Sequence, residues 1–315
     1  MIRLDSREPI PGHLRGAILA LGNFDGFHLG HQAVVGAARD WARAEGRKLI
    51  VATFDPHPVR FFVPDAAPFR LTSLDQRQEL FAAAGADAML VFHFDALMAA
   101  TSAEDWVKRV IVGHIGAAGV VTGADFTFGK GRAGNAGVLH QLGAQVGVAA
   151  RALGPVMSDG EPVSSSRIRE ALKAGDVATA TRLLTRPFAV RAHVQHGDQL
   201  GRTIGFPTAN MELGNYLRPA YGIYAVRGRV LEGNSHGGCV LAGAANFGVR
   251  PMFDPPKELL EPHFFDFDGD LYGKEVEVAF HHFLRAEAKF ADLDALKAQI
   301  DRDCEDARKL LSAAA

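Results

Sequence analysis

The sequence predicts two domains, a parallel α/β domain followed by a smaller antiparallel β domain. Three observations support this. The chain has 315 residues, which favours more than one domain. Strand-like runs alternate with helical patterns in the first half, and they follow one another without intervening helices in the second. The change of pattern falls at Pro187, so we expect domains over residues 1–186 and 187–315.

The first half is predicted to consist of βαβ units. Strands are predicted at 17–21, 48–54, 88–92, 120–122 and 146–150. Helices are predicted at 28–45, at 72–84, after Ser102, from the run 163–169 to Lys173, and at 177–184. Strands that alternate with helices form a mostly parallel sheet, and ligands bind beyond the carboxyl ends of such strands. Three loops are expected there, at residues 22–31, 55–58 and 123–134.

The second half shows the two-residue periodicity of strands. Apolar residues alternate with others over 188–194, and further strand-like runs occur at 221–228, 238–245, 259–267 and 275–284. A helical pattern closes the chain at 293–310. This order predicts an antiparallel barrel or sandwich with a terminal helix.

Composition and charge narrow the class of protein. The formal charge is −2, so the sequence offers no basic surface for nucleic acid. Its first residues are too charged for a signal peptide, and no apolar run approaches membrane-spanning length. The two cysteines, Cys239 and Cys304, fit reduced thiols. We therefore expect a cytoplasmic protein without nucleic acid or membrane partners; the oligomeric state is left open.

The turn between the first strand and the first helix is the most informative segment. It reads GNFDGFHLGH over residues 22–31 and places His28 and His31 at the start of a helix. The N–H groups of a helix N-terminus favour an anion, and two imidazoles three positions apart add donors on one face. The residues alone favour a phosphate site. A metal site shared with Asp25, or an ordinary turn, are the alternatives.

The same run resembles the G-x-F-D-G-x-H-x-G-H signature of nucleotidyltransferases, in particular of bacterial bifunctional riboflavin kinase/FAD synthetases. In that superfamily the two histidines contact nucleotide phosphates and stabilise the transition state. The resemblance implies a Rossmann-like nucleotidyltransferase domain, with His28 and His31 as catalytic residues. It also implies ATP or flavin contacts for Gly22, Phe24, Asp25 and Gly30.

Three further segments of the first half resemble that family. TFDPHP at 53–58 is one, and GADFTFG at 123–129 is another. The second fails as a P-loop, because five residues separate Gly123 from Gly129 and Gly131 follows Lys130. The third, VSSSRIR at 163–169, is similar to I-S-S-T-x-I-R, although serines at a helix start often serve only as caps. The resemblance makes Arg169 a catalytic residue that binds the ATP triphosphate, and predicts as binding residues Asp55, His57, Asp125, Phe128, Ser164, Ser165 and Arg167.

The second half carries a matching run, GRTIGFPTAN at 201–210. Thr208 and Asn210 lie two apart on an extended segment, so their oxygens point to one side and suit Mg²⁺; a plain turn into a strand is the alternative. The run resembles the G-R-x-x-G-F-P-T-A-N motif of riboflavin kinase, in which the Thr and Asn help to hold Mg-ATP. The predicted kinase binding residues are Gly201, Arg202, Gly205, Pro207, Thr208, Asn210 and Arg285, with Thr208 and Asn210 as metal ligands.

Glu261 is the predicted catalytic carboxylate of the kinase. The segments 260–267 and 270–273 resemble the family's E-x-H-x-x-D-F and D-L-Y-G motifs, and Glu261 matches the catalytic glutamate. A lone strand glutamate is otherwise a solvated face residue. Pro262 lacks a backbone N–H and indicates an edge strand or a bulge. Met252 stands where the family has Thr, which favours an alternative: an adenylyltransferase with a non-catalytic flavin-binding barrel.

The resemblance thus implies a bifunctional enzyme of flavin cofactor synthesis. Riboflavin and ATP would give FMN, and FMN with a second ATP would give FAD and pyrophosphate, with Mg²⁺ as cofactor and ATP as co-substrate. Two other classes fit less well. A class I aminoacyl-tRNA synthetase shares the histidine turn, but the chain has no K-M-S-K-S-like run. A purely structural protein would leave both sets of motifs as coincidence.

Overall fold

The structure is a computed structural model that describes residues 1–196, 204–231, 240–250 and 257–313. The chain forms two compact units. The first comprises Met1–Ala67 and Leu74–Ser164, and the second comprises Pro68–Ser73 and Ser165–Ala315. Residues 165–186 are therefore grouped with the second unit, although their helical pattern continues that of the first half.

A six-stranded, wholly parallel sheet forms the first unit. Its strands run in the order β1-β4-β3-β2-β5-β8. They are β1 Ile2–Asp5, β2 Ile18–Leu21, β3 Leu49–Asp55, β4 Ala88–His93, β5 Gly119–Gly123 and β8 Ala149–Leu153. Two short ribbons accompany the sheet: β6 Thr127–Phe128 with β7 Gly134–Asn135, and β9 Met157–Ser158 with β10 Glu161–Pro162.

Helices cover both faces of this sheet. They are α1 Leu29–Ala44, α2 Pro58–Phe62, α3 Leu74–Ala83, α4 Ala96–Ala100, α5 Ala103–Asp105, which continues as a π-helix over Trp106–Ile115, and α6 Ala136–Gln145. Successive strand residues point to opposite faces. Ile18 and Ala20 of β2 pack in one apolar cluster with Trp41 of α1, and Leu19 and Leu21 pack in the other with Trp106. Burial on both faces explains why these strands read as continuous apolar runs.

The parallel α/β fold predicted for the first half is confirmed, with local differences. β1 and α2 were not predicted, since β1 is a short, exposed edge strand and α2 is a single short turn of helix. The strand predicted to start at residue 146 starts at Ala149, because Gly147 adopts a φ of 76° and turns the chain first. Three predicted loops follow β3, β2 and β5, which are neighbours in the sheet. They therefore meet at one carboxyl edge.

The second unit contains two helices, a five-stranded antiparallel sheet and a long terminal helix. The elements are α7 Ser165–Lys173, α8 Val177–Leu184, β11 Phe188–His193, β12 Gly222–Val230, β13 Val240–Arg250, β14 Lys257–Phe264, β15 Glu275–Arg285 and α9 Leu293–Ala313. The sheet order is β11-β15-β12-β13-β14. α9 packs against one face through Ala225, Ala244, Phe265, Ala307 and Leu311.

The two edges of this sheet are connected by residues 210–211. Gln195, just after β11, pairs with Asn210, and Met211 pairs with Leu260 of β14. The sheet therefore curls into the barrel that the sequence predicted, and β14 is an edge strand as Pro262 indicated. Among the residues described, no helix is both long and apolar enough to cross a membrane.

Candidate active sites

The turn after β2 has a strained backbone that packing holds in place. Phe24 and Phe27 have φ values of 50° and 45°, which are unusual for residues with a Cβ, and Gly26 between them has 85°. Both phenylalanines are buried, and their rings lie 5.7 and 5.1 Å from that of Phe81. Burial of the two rings offsets the backbone strain and stabilises this conformation of the turn.

His28 caps helix α1, at whose start the sequence placed both histidines. Its Nδ1 accepts a hydrogen bond from the backbone N–H of His31 at 3.4 Å, and the two imidazole rings stack with centroids 3.6 Å apart. Gly30 permits this contact, because a Cβ at that position would lie 3.2 Å from the His28 ring. An Nδ1 that accepts a hydrogen bond places the proton of the neutral ring on Nε2. That N–H is a donor suited to a phosphate oxygen.

Two side chains hold the backbone of the turn: Thr53, the first residue of the 53–58 segment, and Arg77, which was not predicted from sequence. Thr53 of β3 donates its hydroxyl to the carbonyl of Asn23 at 2.7 Å. The guanidinium of Arg77 donates to Thr53 Oγ1 at 2.7 Å and to the Asn23 carbonyl at 3.2 Å. Arg77 is only 2% exposed. Arginine is rarely buried so deeply unless it is paired. The buried Arg77 therefore indicates that its hydrogen bonds hold the turn in a defined conformation.

The segment after β3 has a polar side and an apolar side. His57 caps α2 by accepting a hydrogen bond from Val59 N at 3.2 Å, and Asp55 lines a cavity of about 350 Å³ with Arg3, Arg7 and His93.

On the apolar side of this segment, Phe62 of α2 is 64% exposed. It lies edge-on to Phe61 and Phe94. Phe61 and Phe94 are half-buried, so the cluster presents mainly the Phe62 ring at the carboxyl edge of the sheet, where a flat ring could stack.

The glycine-rich segment after β5 is the short β6–β7 ribbon. Asp125 lies against Gly123, where a Cβ would be 2.8 Å from its Oδ1. Phe128 is buried and stacks on Phe126 with ring centroids 5.9 Å apart. The segment is ordered by these contacts and follows the strand next to β2. Its predicted role in nucleotide and flavin binding stays a prediction.

Helix α7 begins at Ser165, within the 163–169 run that was predicted to open a helix, and carries Arg167 and Arg169; Ser164 precedes it. Arg169 donates from Nε to the Phe69 carbonyl at 2.8 Å, and its guanidinium lies 5.3 Å from the Phe69 ring. Ser164 and the histidine turn belong to the first unit, whereas Ser165, Arg167 and Arg169 belong to the second. Their predicted contact with the same nucleotide therefore stays a prediction.

No group of three His, Cys, Asp or Glu side chains in the described chain could hold a metal ion, so the metal alternative for the histidine turn gains no support.

The second candidate site lies where residues 209–211 pair with strand β14. Ala209 N donates to the Pro262 carbonyl at 3.0 Å, and Met211 and Leu260 exchange two backbone hydrogen bonds of 2.9 Å. This pairing sets Asn210 opposite Glu261. Pro262 interrupts no hydrogen bond to β13, since the groups of residues 260 and 262 face the 209–211 segment.

His263 fixes the start of this segment. Its Nδ1 lies 2.9 Å from the carbonyl oxygen of Pro207, and its ring lies edge-on to Phe206. Gly205, with a φ of 94°, supplies the turn before them. Thr208 and Asn210 flank the paired Ala209, so an extended backbone directs both toward the face that carries Glu261.

Glu261 forms an ion pair with Arg250 of β13, and the side chains are 15% and 28% exposed respectively. It is therefore not the solvated face residue that a lone strand glutamate usually is. Asn246 lies directly opposite Glu261 on β13. Its Oδ1 is buried and has no hydrogen-bond partner in the described part of the chain. Such an acceptor needs a donor, and a ligand hydroxyl would supply one.

Arg285 has a structural partner. Its guanidinium binds both carboxylate oxygens of Asp303 on α9, with Nε–Oδ1 2.9 Å and Nη2–Oδ2 2.6 Å. This bond ties β15 to the terminal helix, and a role of Arg285 toward substrate stays a prediction. Gly201, Arg202 and Met252, singled out from sequence, lie outside the described residues.

Each of the two units carries one candidate site, and similarity to known proteins identifies the class of protein as a transferase. Two family models match the chain, FAD synthetase over residues 10–167 and riboflavin kinase over residues 184–311. The bifunctional riboflavin kinase/FMN adenylyltransferase of Escherichia coli (strain K12) is 38% identical over 288 residues, covering 91% of this chain and 90% of its own. The protein of the same name from Pseudomonas fluorescens is 39% identical over 306 residues, covering 97% and 96%.

A crystal structure described as a macrolide-efflux protein from Streptococcus pneumoniae is also similar, with a TM-score of 0.86 and 28% identity over 98% of this chain and 99% of that one. The chain belongs to the family of bifunctional riboflavin kinase/FMN adenylyltransferases. Both activities are indicated by its domains, which favours the bifunctional interpretation over an adenylyltransferase with an inactive barrel.

Proposed function

We propose that the histidine turn of the first unit transfers the adenylyl group of ATP to FMN, and that the Glu261 face of the second unit phosphorylates riboflavin with ATP. The observation that carries the second half of this proposal is the shared face of Glu261, Asn246 and Asn210. The chemistry of the two reactions explains why the sites differ.

Adenylyl transfer needs electrostatic stabilisation and no general base. The nucleophile is a phosphate oxygen of FMN, which is already anionic. The site must position two polyanions and stabilise charge on the α-phosphate and pyrophosphate. The Nε2–H of His28, the ring of His31 and the N–H groups that open α1 are donors of this kind.

The aromatic cluster of Phe62, Phe61 and Phe94 is proposed as a stacking surface for the isoalloxazine ring of FMN. It adjoins the 55–58 segment at the same carboxyl edge as the histidine turn. Asp55 and His57 would then contact the polar part of a ligand, in agreement with their prediction from sequence.

Riboflavin phosphorylation needs a base, because its nucleophile is a neutral ribityl hydroxyl. Glu261 is the carboxylate on the face, and the Asn246 Oδ1 opposite it would accept a hydrogen bond from a ligand hydroxyl. We therefore assign proton abstraction to Glu261 and positioning to Asn246. The transferred phosphoryl group would leave ADP and become the phosphate of FMN.

The residues beside Glu261 fit a magnesium ion. Thr208 and Asn210 offer hydroxyl and amide oxygens on one side of the 207–211 segment, which is held by His263 and by the pairing with β14. Mg²⁺ commonly binds through one or two protein oxygens together with substrate phosphates and water. When bound there, it would neutralise the phosphates of ATP. We place the enzyme in the cytoplasm, where a thiol such as that of Cys304 stays reduced.

The substitution Glu261→Gln tests the kinase assignment. Gln keeps the shape and removes the basicity, so FMN formation from riboflavin should fall by about 10²–10⁴, the usual worth of a general base. FAD formation from supplied FMN should persist. Glu258→Gln is the matched control, because Glu258 lies three residues earlier on β14 and faces the opposite side. Undiminished riboflavin phosphorylation by Glu261→Gln would refute the assignment.

A further inference from the structure

We infer that Arg250 is a positioning residue for the kinase reaction, one that holds the carboxylate of Glu261 in its working orientation. The inference rests on the proposed role of Glu261 as base. The sequence analysis assigned no role to Arg250, although the residue lies two positions before Met252 in a segment that follows the family pattern.

The Arg250–Glu261 ion pair joins neighbouring strands at positions that are not opposite each other. Arg250 is the last residue of β13 and lies opposite Lys257 in the β13–β14 register, four residues from the position opposite Glu261. Residues 246, 250, 257 and 261 share one face of the sheet. The Arg250 side chain therefore extends back along this face to reach Glu261, with which it forms an ion pair.

Burial makes the Glu261 carboxylate dependent on the Arg250 guanidinium. Both side chains are largely buried, and burial lowers the pKa of Arg250. A buried carboxylate is stable only with a partner, so removal of the guanidinium would leave Glu261 with an unpaired charge. Arg250 contacts Glu261 through Nη2 and Glu287 through Nη1, a two-armed contact that the single nitrogen of a lysine cannot reproduce.

A second carboxylate restrains Arg250 from the other side. Glu287, which follows β15, lies 3.9 Å from Arg250 Nη1. It packs directly over Gly248, where a Cβ would collide with its carboxylate. The guanidinium is thus placed between Glu261 and Glu287. With Glu287 in place, Arg250 has an anchor apart from the base that it orients.

A double-mutant cycle separates positioning from general structural support. Arg250→Gln should lower kcat for FMN formation about ten- to a hundredfold, the cost of a misplaced catalytic group, with little change in KM for riboflavin. Arg250→Lys should recover only part of the loss. In the Glu261→Gln background, Arg250→Gln should cost nothing further, because the group that it orients no longer acts as a base.

Two controls complete the experiment. Arg218→Gln breaks the Arg218–Glu258 ion pair, of 2.6 Å, on the opposite face of β14 and should leave kcat for FMN formation unchanged. FAD formation from FMN should stay at the wild-type rate in every variant, and an unchanged far-UV circular dichroism spectrum shows that the second unit is folded. Where Arg250→Gln is insoluble, Arg250→Lys in both backgrounds carries the same cycle.

The outcomes are distinguishable. Losses that multiply in the double variant, or a wild-type kcat for Arg250→Gln, would overturn the positioning role while leaving Glu261 as base. A Glu261→Gln variant that retains full activity would instead overturn the proposed function, and the positioning role with it.

Discussion

The backbone N–H of His31 donates to Nδ1 of His28, 3.4 Å away, while the two imidazole rings stack with centroids 3.6 Å apart. One histidine therefore serves the fold and the site at once. Its Nδ1 caps the helix, and a ring that accepts a hydrogen bond through Nδ1 has Nε2 as its donor. A substitution that keeps the helix cap but removes the Nε2 donor should therefore reduce catalysis without reducing helix stability.

Asparagine and alanine at position 28 make that separation. Asn is a strong N-cap and Ala is a poor one, so His28→Ala should lose about 1 kcal/mol of stability that His28→Asn retains. Neither side chain presents the Nε2 donor. FAD formation should fall by about 10²–10³ in both variants, the cost of one preorganised donor. The measurements are FAD synthesis from FMN and urea unfolding followed by tryptophan fluorescence.

Formation of FMN from riboflavin is the internal control for the His28 variants, since it belongs to the other unit. Equal loss of both activities in a folded protein would contradict the assignment. A His28→Asn variant with wild-type FAD synthesis would show that the ring serves only as a cap.

Arg77 is predicted to stabilise the turn. Arg77→Met removes hydrogen bonds to Thr53 Oγ1 and the Asn23 carbonyl, and hydrogen bonds from charged donors are each worth about 1.5–3 kcal/mol. The first unit should unfold at lower urea, and FAD synthesis should fall because the turn loosens. Both tryptophans, Trp41 and Trp106, lie in the first unit, so their fluorescence reports it. Arg109→Met, at a position 82% exposed, is the control and should change neither quantity.

Sequence predicted most of the fold, because most elements carry their own periodicity. β3 and α8 were found almost to the residue, since a buried strand and an amphipathic helix have local apolar patterns. β1 was missed because the exposed edge strand IRLD has no such pattern. The site was predicted in part. Motifs marked His28 and Glu261, but Arg77 and Arg250 act through contacts with Thr53 and Glu261, which depend on packing and strand register rather than on local sequence.

Glu277 is predicted to stabilise the barrel in a pH-dependent way. It pairs with Arg191 at 2.6 Å and with Arg229 at 2.9 Å, its neighbours on the two adjacent strands. Burial alone would raise the pKa of Glu277, but the two guanidinium groups lower it overall. A lowered pKa means that the stabilisation is fully present above the ordinary glutamate pKa, about 4.3, and is lost as the pH falls through the folded-state value.

Glu277→Gln should therefore destabilise the barrel by about 3 kcal/mol at pH 7, and by progressively less below about pH 4. Hydrogen exchange of the β15 amides, measured by mass spectrometry at pH 7 and below about pH 4, reports this loss of stability. Asp266→Asn breaks the exposed Asp266–Arg308 pair and should have little effect at either pH. An effect of Glu277→Gln that is independent of pH would point to packing rather than charge.

The last prediction concerns where the second domain begins. The periodicity places the boundary at 186, and a fragment beginning at Thr185 keeps all five strands and α9. It should fold and phosphorylate riboflavin without making FAD. Within the second unit, however, α7 and α8 pack on the barrel: Ala220 N donates to the Leu172 carbonyl at 2.9 Å, and Gly175 lies against the Phe283 ring. α8 buries Val177, Ala180, Leu183 and Leu184.

A fragment of residues 165–315 should therefore be more stable than one of residues 185–315. Each buried Val or Leu side chain contributes about 1.5–3 kcal/mol, so the longer fragment should unfold at clearly higher urea, measured by far-UV circular dichroism. Both fragments should form FMN at similar rates, because the Glu261 face lies within β13, β14 and residues 204–211. Equal unfolding midpoints would place α7 and α8 outside the folding unit of the barrel. A shorter fragment that is unfolded and inactive, beside a longer one that is active, would instead move the domain boundary to residue 165.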